Sequence, residues 1–483
     1  MTETQLPLFR LARTRRSVIG VGTSAVAVAM AACGGEIVTS GGATSKVEPT
    51  KAPVAPSPTV AVAMPTSAPM PARAAPPVKL LYWTQRQPED RLGNGVRAAL
   101  DDYVEKNPGK VIIETGEGGQ PLALDKIKTA IAAGTPPDLY GGLFQTPAAE
   151  LFTLNAVVDL TAELKGNKSW EQVKGELLPS NLEGCSWKGK LVMMPMMLAQ
   201  QVLGINKQLL LKNGVPLPVE GFSWSDFLDL GKKTVVSGER WLYPMLYSWS
   251  DFNSWIYANG LAPVSRDGTK VLYDTPQMLE TLQWLHDQAS VTQLFRAGPA
   301  ANADFDTGKF VGWSANEAAG IAPVRFPNVD SGDGNGLHIT HFPIGPSNTR
   351  KQIITYANVY GLIAMKTTDA KRISLAAEVT GWGGRSDVQM KIASASGHVP
   401  PNTVASQPEK LPAKIRDNPI LKQIALYGRY SYLTPNYPSW GASMNILQEN
   451  FMRIMNGQLR PRDALADAQP RIQEAVDADL RKG

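Results

Sequence analysis

The chain has 483 residues, of which 43% are hydrophobic and 19% are charged, and its formal net charge is +5. These proportions are typical of a soluble globular protein, and the part of the chain beyond residue 77 is long enough for two domains of ordinary size. The sequence contains no block of basic residues, which argues against a nucleic-acid partner.

The first 33 residues have the pattern of an export signal. Four arginines lie within the first 16 residues, and an apolar stretch over residues 18–32 ends at Cys33. This stretch is too short for a membrane-spanning helix, which needs about 20 apolar residues. TRRSVI (14–19) resembles a twin-arginine export signal, and MAAC (30–33) resembles a bacterial lipobox, in which the cysteine is acylated. We therefore expect an extracytoplasmic protein held to the outer face of the cell membrane by a lipid on Cys33. An uncleaved N-terminal anchor is the alternative.

Residues 34–77 are predicted to be a disordered tether. They are rich in Pro, Ala, Ser, Thr and Gly and contain no aromatic residue, so they cannot form a core. The chain has two cysteines, and assigning Cys33 to the lipid leaves Cys185 alone. A disulfide framework is therefore excluded.

Strands and helices alternate after the tether. The patterns predict strands at 78–83, 111–114 and 137–142, and helices at 95–106 and 122–133. This alternation predicts βαβ units and a parallel sheet, with ligands bound at the carboxyl ends of the strands. Those ends are 83–86, 114–118 and 141–145.

The second part of the body is predicted to be mainly helical, with strands between the helices. Ser223 is a plausible N-cap for the first of these helices. The expected helices are 224–235, 278–289, 370–380, 445–455 and 463–480, and the expected strands are 309–313 and 356–365.

Eight short motifs then point to one family. They are GTPPD (134–138), VVDLT (157–161), WKGK (187–190), GINKQL (204–209), SWSD (223–226), DTGKF (306–310), GHVP (397–400) and RDALADAQ (462–469). Taken in this order, they resemble the bacterial extracellular solute-binding family of the maltose-binding type.

The resemblance implies an α/β fold with two lobes, each a β-sheet flanked by helices, that share a cleft and close by hinge bending. We expect the crossings between lobes near 196–201, 301–306 and 346–355. The first lobe would then comprise 78–196 and 306–350, and the second lobe 197–305 and 351–483. The resemblance also implies a monomeric receptor that delivers a carbohydrate to the permease of an ABC importer, without cofactor or metal.

Candidate ligand-binding residues are aromatic side chains beside polar ones, because pyranose rings present flat C–H faces and hydroxyl groups. Trp249 and Trp440 fall where the family places aromatic residues that stack on the solute. The full set is Trp249, Asp251, Asn253, Trp440, Trp83, Gln85, Arg86, Trp313 and Gln200. Simple core packing is the alternative for each tryptophan, above all for Trp83 and Trp313.

We expect no catalytic activity. The sequence lacks a Gly-x-Ser-x-Gly elbow and a phosphate-binding loop, and His338 and His341 are spaced for opposite faces of a strand. A pair of carboxylates for glycoside hydrolysis, chosen from Glu117, Asp251 and Glu317, stays open. The alternative function is a surface-anchored carbohydrate sensor or adhesin, since a fold does not determine function.

Overall fold

A computed structural model describes residues 76–84, 86, 90–116, 124–300, 302–315 and 336–482. These residues belong to one compact unit, Arg73–Gly483. The predicted signal with Cys33, almost all of the tether, and Gln85, Glu117 and Glu317 lie outside the described residues. No helix in the described part of the chain is both long enough and apolar enough to span a bilayer.

The strands are β1 (Val78–Thr84), β2 (Val111–Thr115), β3 (Leu139–Phe144), β4 (Ser186–Trp187), β5 (Lys190–Leu191), β6 (Met194–Gln200), β7 (Val202–Asn206), β8 (Tyr243–Met245), β9 (Phe295–Ala297), β10 (Gly312–Ala315), β11 (Leu337–Thr340), β12 (Thr355–Ala364) and β13 (Ser431–Leu433). The helices are α1 (Arg91–Lys106), α2 (Leu124–Ala132), α3 (Thr146–Thr153), α4 (Leu160–Glu163), α5 (Lys168–Glu176), α6 (Pro179–Gly184), α7 (Lys207–Lys212), α8 (Trp224–Thr234), α9 (Trp249–Ala258), α10 (Pro276–Ser290), α11 (Asn302–Asp306), α12 (Ala370–Trp382), α13 (Ser386–Ser396), α14 (Ala413–Arg416), α15 (Pro419–Leu426), α16 (Trp440–Met455) and α17 (Pro461–Lys482).

The first sheet has the strand order β13-β12-β3-β1-β2, and β6 also pairs with β12. β1 runs parallel to β2 and β3, as the alternation of strands and helices predicts. β12 runs antiparallel to β3 and β6. Every residue of β12 and β6 is buried, which explains why both segments are almost continuously apolar.

Helix α1 packs on the first sheet with apolar residues at helical spacing. Val96, Leu100 and Tyr103 are all buried. The helix begins at Arg91, earlier than the predicted start at residue 95, because the Asp90 side chain accepts a hydrogen bond of 2.7 Å from the Leu92 N–H and caps the first turn.

The second sheet has the order β10-β7-β11, with all pairs antiparallel. The parallel pair β8-β9 lies next to the second sheet. The Gly312 N–H of β10 donates to the carbonyl of Leu242, the residue before β8, at 2.8 Å. Aromatic side chains from neighbouring helices fill its core, with the Trp255 ring 5.3 Å from Tyr243 and 5.5 Å from Phe295.

The strand pairing contradicts the predicted division into lobes. The assignment of 306–350 to the first lobe is wrong for its two strands, since β10 and β11 both pair with β7 of the second sheet. Instead of crossing at 301–306, the chain stays beside the second sheet, where the Trp241 N–H donates to the Lys309 carbonyl at 2.9 Å. The assignment of 351–483 to the second lobe is wrong for β12, which lies inside the first sheet.

The chain passes from the first sheet to the second at Gln201, between β6 and β7, and returns between β11 and β12. Helices α16 and α17 pack on the second sheet's side, where the Phe451 ring lies 4.7 Å from the Phe252 ring of α9. We therefore call the described residues of 78–200, 355–396 and 431–433 the first half, and those of 202–345 and 440–482 the second half.

Candidate ligand-binding site

Five aromatic side chains meet where the two halves adjoin. Phe144, at the end of β3, lies 4.4 Å from the ring of Tyr360 on β12. Trp249, the first residue of α9, lies 6.2 Å from Phe144 and 5.9 Å from Tyr356. Trp440, the first residue of α16, lies 4.9 Å from Trp249 with the ring planes at 88°. We call these five residues the aromatic cluster; the first half supplies three of them and the second half the two tryptophans.

Helix starts place both tryptophans. The Ser248 side chain caps α9 by accepting a hydrogen bond of 3.2 Å from the Asp251 N–H, which fixes Trp249 in the first turn. The Trp440 N–H donates to the Tyr437 carbonyl at 3.1 Å as α16 begins. Both indole rings and the ring of Phe144 are only partly buried, so the cluster has an accessible side.

Arg86 borders the aromatic cluster, and its guanidinium is paired with neighbouring groups of the protein. The Arg86 guanidinium lies 4.9 Å from the centre of the Tyr360 ring. Its Nε donates to the Gly142 carbonyl at 2.8 Å, and its Nη1 lies 3.6 Å from the Asp90 carboxylate. Arg86 therefore holds the end of β1 against β3 and β12 while it covers one aromatic ring.

Buried amides lie beneath the cluster. Gln145 follows Phe144 and is fully buried. Its Oε1 accepts a hydrogen bond of 3.0 Å from the Val359 N–H, and its Nε2 donates to Asn358 Oδ1 at 3.4 Å. These bonds fix the end of β3 to β12, and with it the position of Phe144.

Asp251 supports the site from below. Only 1% of Asp251 is exposed, and its carboxylate accepts hydrogen bonds from the Tyr243 hydroxyl and, at 3.1 Å, from the Leu246 N–H. Burial raises the pKa of Asp251 to about 7. Asn253 is also 1% exposed, and its Nδ2 lies 3.8 Å from the Met444 sulfur. Both side chains therefore fix the start of α9 rather than line an open surface.

The remaining predicted residues lie elsewhere. Trp313 is 5% exposed and packs between Phe305 and Phe310, at 5.9 and 6.2 Å, in the second half. Trp83 is half-buried on β1, and the Lys126 ammonium lies 5.6 Å from its ring. Gln200 is fully buried at the end of β6, paired with Ala357. The structure thus brings together Trp249, Trp440 and Arg86 from the predicted set.

Phe144, Tyr356 and Tyr360 are absent from the predicted set. Tyr356 and Tyr360 are four residues apart on one strand and therefore share a face, a spacing visible in the sequence. The continuous apolar run around them predicts a strand buried on both faces, which hides their position beside the tryptophans. Phe144 lies in the predicted carboxyl end of the third strand, residues 141–145, and this position is the only signal that the sequence offers for it.

Metal binding has no support in the ranges that the structure covers, where no group of three or more His, Cys, Asp or Glu side chains could hold an ion. His338 Nε2 bonds the Pro218 carbonyl at 3.2 Å. His341 Nε2 accepts from the Gly221 N–H at 2.8 Å, so its Nδ1 carries the proton and donates to the Phe342 carbonyl at 2.6 Å. Burial lowers the pKa of both imidazoles.

Comparison with solved structures gives consistent matches to one kind of protein. A cyclic α-maltosyl-1,6-maltose binding protein from Arthrobacter globiformis matches with a TM-score of 0.69 and 16% identity, over 84% of this chain and 100% of that chain. An ABC substrate-binding protein from Listeria monocytogenes in complex with cycloalternan matches with a TM-score of 0.65 and 17% identity, over 83% of this chain and 99% of that chain. A maltose/maltodextrin-binding domain from Bdellovibrio bacteriovorus bound to maltotriose matches with a TM-score of 0.61 and 19% identity, over 84% of this chain and 100% of that chain. These likenesses confirm the predicted α/β fold.

The sequence itself matches one family profile, that of the bacterial extracellular solute-binding proteins, over residues 98–423. No curated protein matches the chain. The profile covers more than half of the sequence, and it confirms the resemblance carried by the eight motifs. The chain therefore belongs to the bacterial extracellular solute-binding protein family.

Proposed function

We propose that this protein captures a carbohydrate between its two halves and delivers it to an ABC importer. The observation that carries the proposal is the aromatic cluster. Its rings come from both halves, so a solute held there touches Phe144 of the first half and Trp249 of the second at the same time.

The chemistry of the cluster suits a sugar. Aromatic rings provide a flat, polarisable surface for the C–H faces of a pyranose, and neighbouring polar groups bond its hydroxyls. Trp249 and Trp440 stand nearly perpendicular to one another, which gives two differently oriented surfaces in one place. The positive charge of Arg86 is balanced by the Asp90 carboxylate, so the site favours a neutral ligand over an anion. Three proteins of the same fold bind cycloalternan, cyclic α-maltosyl-1,6-maltose and maltotriose, respectively.

Capture proceeds by closure of the two halves. A ligand that contacts both halves only when they approach one another shifts the population toward the closed arrangement. The segments that absorb the movement are those that connect the sheets, at Gln201 and between β11 and β12. The closed arrangement would then present both halves to the permease, and the protein would act as a monomer.

Attachment to the membrane is part of the proposal. The basic segment, the apolar run and the lipobox-like MAAC (30–33) support export and acylation at Cys33. A Pro- and Ala-rich segment behind the lipid would let the folded unit reach its permease.

We propose binding rather than catalysis. Asp251 is the carboxyl group nearest in sequence to Trp249, and its raised pKa would suit a general acid. Its carboxylate is nevertheless buried and bonded to Tyr243 and Leu246, so it cannot reach a glycosidic oxygen. Asp251 is thus a poor partner for glycoside hydrolysis.

A thermal-shift screen of the compact unit Arg73–Gly483 tests the proposal. The ligands would be monosaccharides, maltose, maltotriose, cyclic glucans, polyols and glycerophosphodiesters. A ligand that binds only the native state raises the melting temperature with its concentration. We expect a saturable shift with one carbohydrate class. A shift with a different solute class alone would overturn the assignment of a carbohydrate as the ligand. No shift with any ligand would favour the function of a sensor or adhesin.

A further inference from the structure

A hairpin of the second half, residues 264–271, is fixed firmly to helix α17. Gln473 Oε1 accepts from the Val271 N–H at 2.8 Å, and Gln473 Nε2 donates to the Thr269 carbonyl at 3.1 Å. Gln469 Nε2 donates to the Val271 carbonyl at 2.8 Å. These bonds on backbone groups make the hairpin a rigid extension of the second half.

The tip of the hairpin is ordered by its own side chains. Asp267 Oδ1 accepts from the Thr269 N–H at 3.1 Å and from the Ser265 hydroxyl at 2.6 Å. The Ser265 N–H donates to the Lys270 carbonyl at 2.7 Å. Arg266 therefore stands on a pre-ordered turn, and less conformational entropy is lost when it binds a partner.

Arg266 reaches across to the first half. Its guanidinium forms an ion pair with Glu183 of α6, and its Nη2 donates to the Ser180 carbonyl at 3.2 Å. The guanidinium also lies 4.6 Å from the centre of the Tyr432 ring. Helix α6 precedes the passage between sheets at Gln201 and the hairpin follows it, so this ion pair joins the two halves.

A continuous row of rings connects Arg266 with the aromatic cluster. Tyr432 lies 4.9 Å from Tyr257, Tyr257 stacks on Tyr356 at 5.4 Å, and Tyr356 lies 5.9 Å from Trp249. Tyr257 and Tyr356 are both 1% exposed. Packed side chains of this kind provide a physical route for coupling between distant sites.

We propose that Arg266, through Glu183 and Ser180, is a latch that stabilises the approach of the two halves and so sets ligand affinity without touching the ligand. The inference rests on the proposed function, because it assumes that ligand binding and approach of the halves are linked. The ion pair exists in the same arrangement in which Phe144 touches Trp249, so it stabilises that arrangement. Losing the pair favours separation and lowers the population that is competent to bind.

The first test needs no ligand. Spin labels on Asp101→Cys in α1 and Lys232→Cys in α8, two side chains each 68% exposed, report the distance between the halves by electron–electron double resonance. The full chain carries Cys33→Ser to remove a competing thiol, and Cys185 stays unlabelled because it is buried and its pKa is raised. We expect Arg266→Ala and Glu183→Gln to change the distance distribution in the same way. A distribution unchanged from wild type in both variants would overturn the latch.

The second test uses maltotriose as the probe. Arg266→Ala and Glu183→Gln should each weaken its binding about two- to fivefold, and the double variant no further, since both changes remove one partly exposed ion pair. The matched control is Arg460→Ala, which removes an arginine–carboxylate pair with Asp463 inside the second half and should change neither readout. An unchanged or tighter Kd in both variants would overturn the proposal. If wild type fails to bind maltotriose, the proposed sugar is wrong, whereas the ligand-free distance still decides on the latch.

Discussion

The indole of Trp249 meets the indole of Trp440 edge to face, with ring centroids 4.9 Å apart and ring planes at 88°. The two residues begin different helices that are far apart in the chain, α9 and α16. Their contact places two aromatic ring faces side by side at nearly a right angle, and both rings are partly accessible. A site built in this way depends on both tryptophans together.

Replacing either tryptophan should therefore abolish most carbohydrate binding. We expect Trp249→Ala and Trp440→Ala each to weaken binding by about tenfold or more, equivalent to ~1.4 kcal/mol, because each removes an aromatic surface at the site. The double variant should lose less than the product of the two, since the rings contact one another. Isothermal titration calorimetry with the sugar identified by the screen measures these losses.

Trp382→Ala is the control for this comparison. Trp382 is also partly buried, but it lies on α12, where its Nε1 donates to Asp102 at 2.8 Å and its ring packs on Tyr103 at 5.5 Å. Its loss should lower stability and leave affinity unchanged. Equal loss of affinity in all three variants would mean that the tryptophans act through folding alone.

Local chemistry explains which elements can be predicted from the sequence. Ser223 is predicted as an N-cap, and the structure confirms it with a full capping box in which Asp226 bonds back to the Ser223 N–H at 2.8 Å. Helix α9 lacks a comparable prediction, because eight of its ten residues are buried and it shows no polar face. A helix buried all round has no amphipathic period to detect.

The division into halves could not be predicted in the same way. It depends on which distant strand each segment pairs with, such as Trp313 with Gly204 and Thr340 with Leu203. Local patterns predict a strand at 309–313, which overlaps β10, but carry no information about the sheet that it joins. The motifs therefore identify the family, while the order of crossings comes only from the long-range pairing.

The candidate site could be predicted in part for a related reason. Polar residues flank Trp249 and Trp440, and this context is visible in the sequence. Trp313 has a similar context, yet the rings of Phe305 and Phe310 enclose it. Burial on this scale arises from tertiary packing, which sequence neighbours do not reveal.

The carboxyl of Asp251 should make stability depend on pH in an unusual direction. Its pKa is raised to about 7 in the folded protein, against about 3.9 in an unfolded chain. The folded state thus binds this proton more tightly, so its contribution to stability is full below about pH 4 and is lost as pH rises to about 7. Relative to Asp251→Asn, the wild type should lose free energy of unfolding between about pH 4 and about pH 7. Above this range the two curves of stability against pH should run parallel. Urea unfolding from pH 4 to 8 measures the difference, and parallel curves throughout would contradict the assignment.

The cap of α8 should contribute measurably to stability. The Ser223 side chain accepts from the Asp226 N–H at 3.3 Å, and Asp226 accepts from both the N–H and the hydroxyl of Ser223. Ser223→Ala should lower the free energy of unfolding by about 1 kcal/mol. Ser237→Ala, at an exposed turn residue, is the control and should have almost no effect. Urea denaturation measures the free energy of unfolding of both variants. An equal loss in the two would contradict the stabilising role of the cap.

Two glycines should respond in opposite ways to the same substitution. A Cβ on Gly361 would lie 2.1 Å from the Met194 carbonyl oxygen, at the irregular register between β12 and β6. That oxygen belongs to a buried backbone and cannot move aside, so Gly361→Ala should destabilise the protein by more than about 2 kcal/mol, as overpacked cores do. Gly175 lies in α5, where a Cβ meets no atom within 4 Å, and Gly175→Ala should add about 0.5–1 kcal/mol. Guanidinium unfolding measures both changes. If Gly361→Ala were as stable as wild type, β12 and β6 could not lie as close as the central pairing of the first sheet requires.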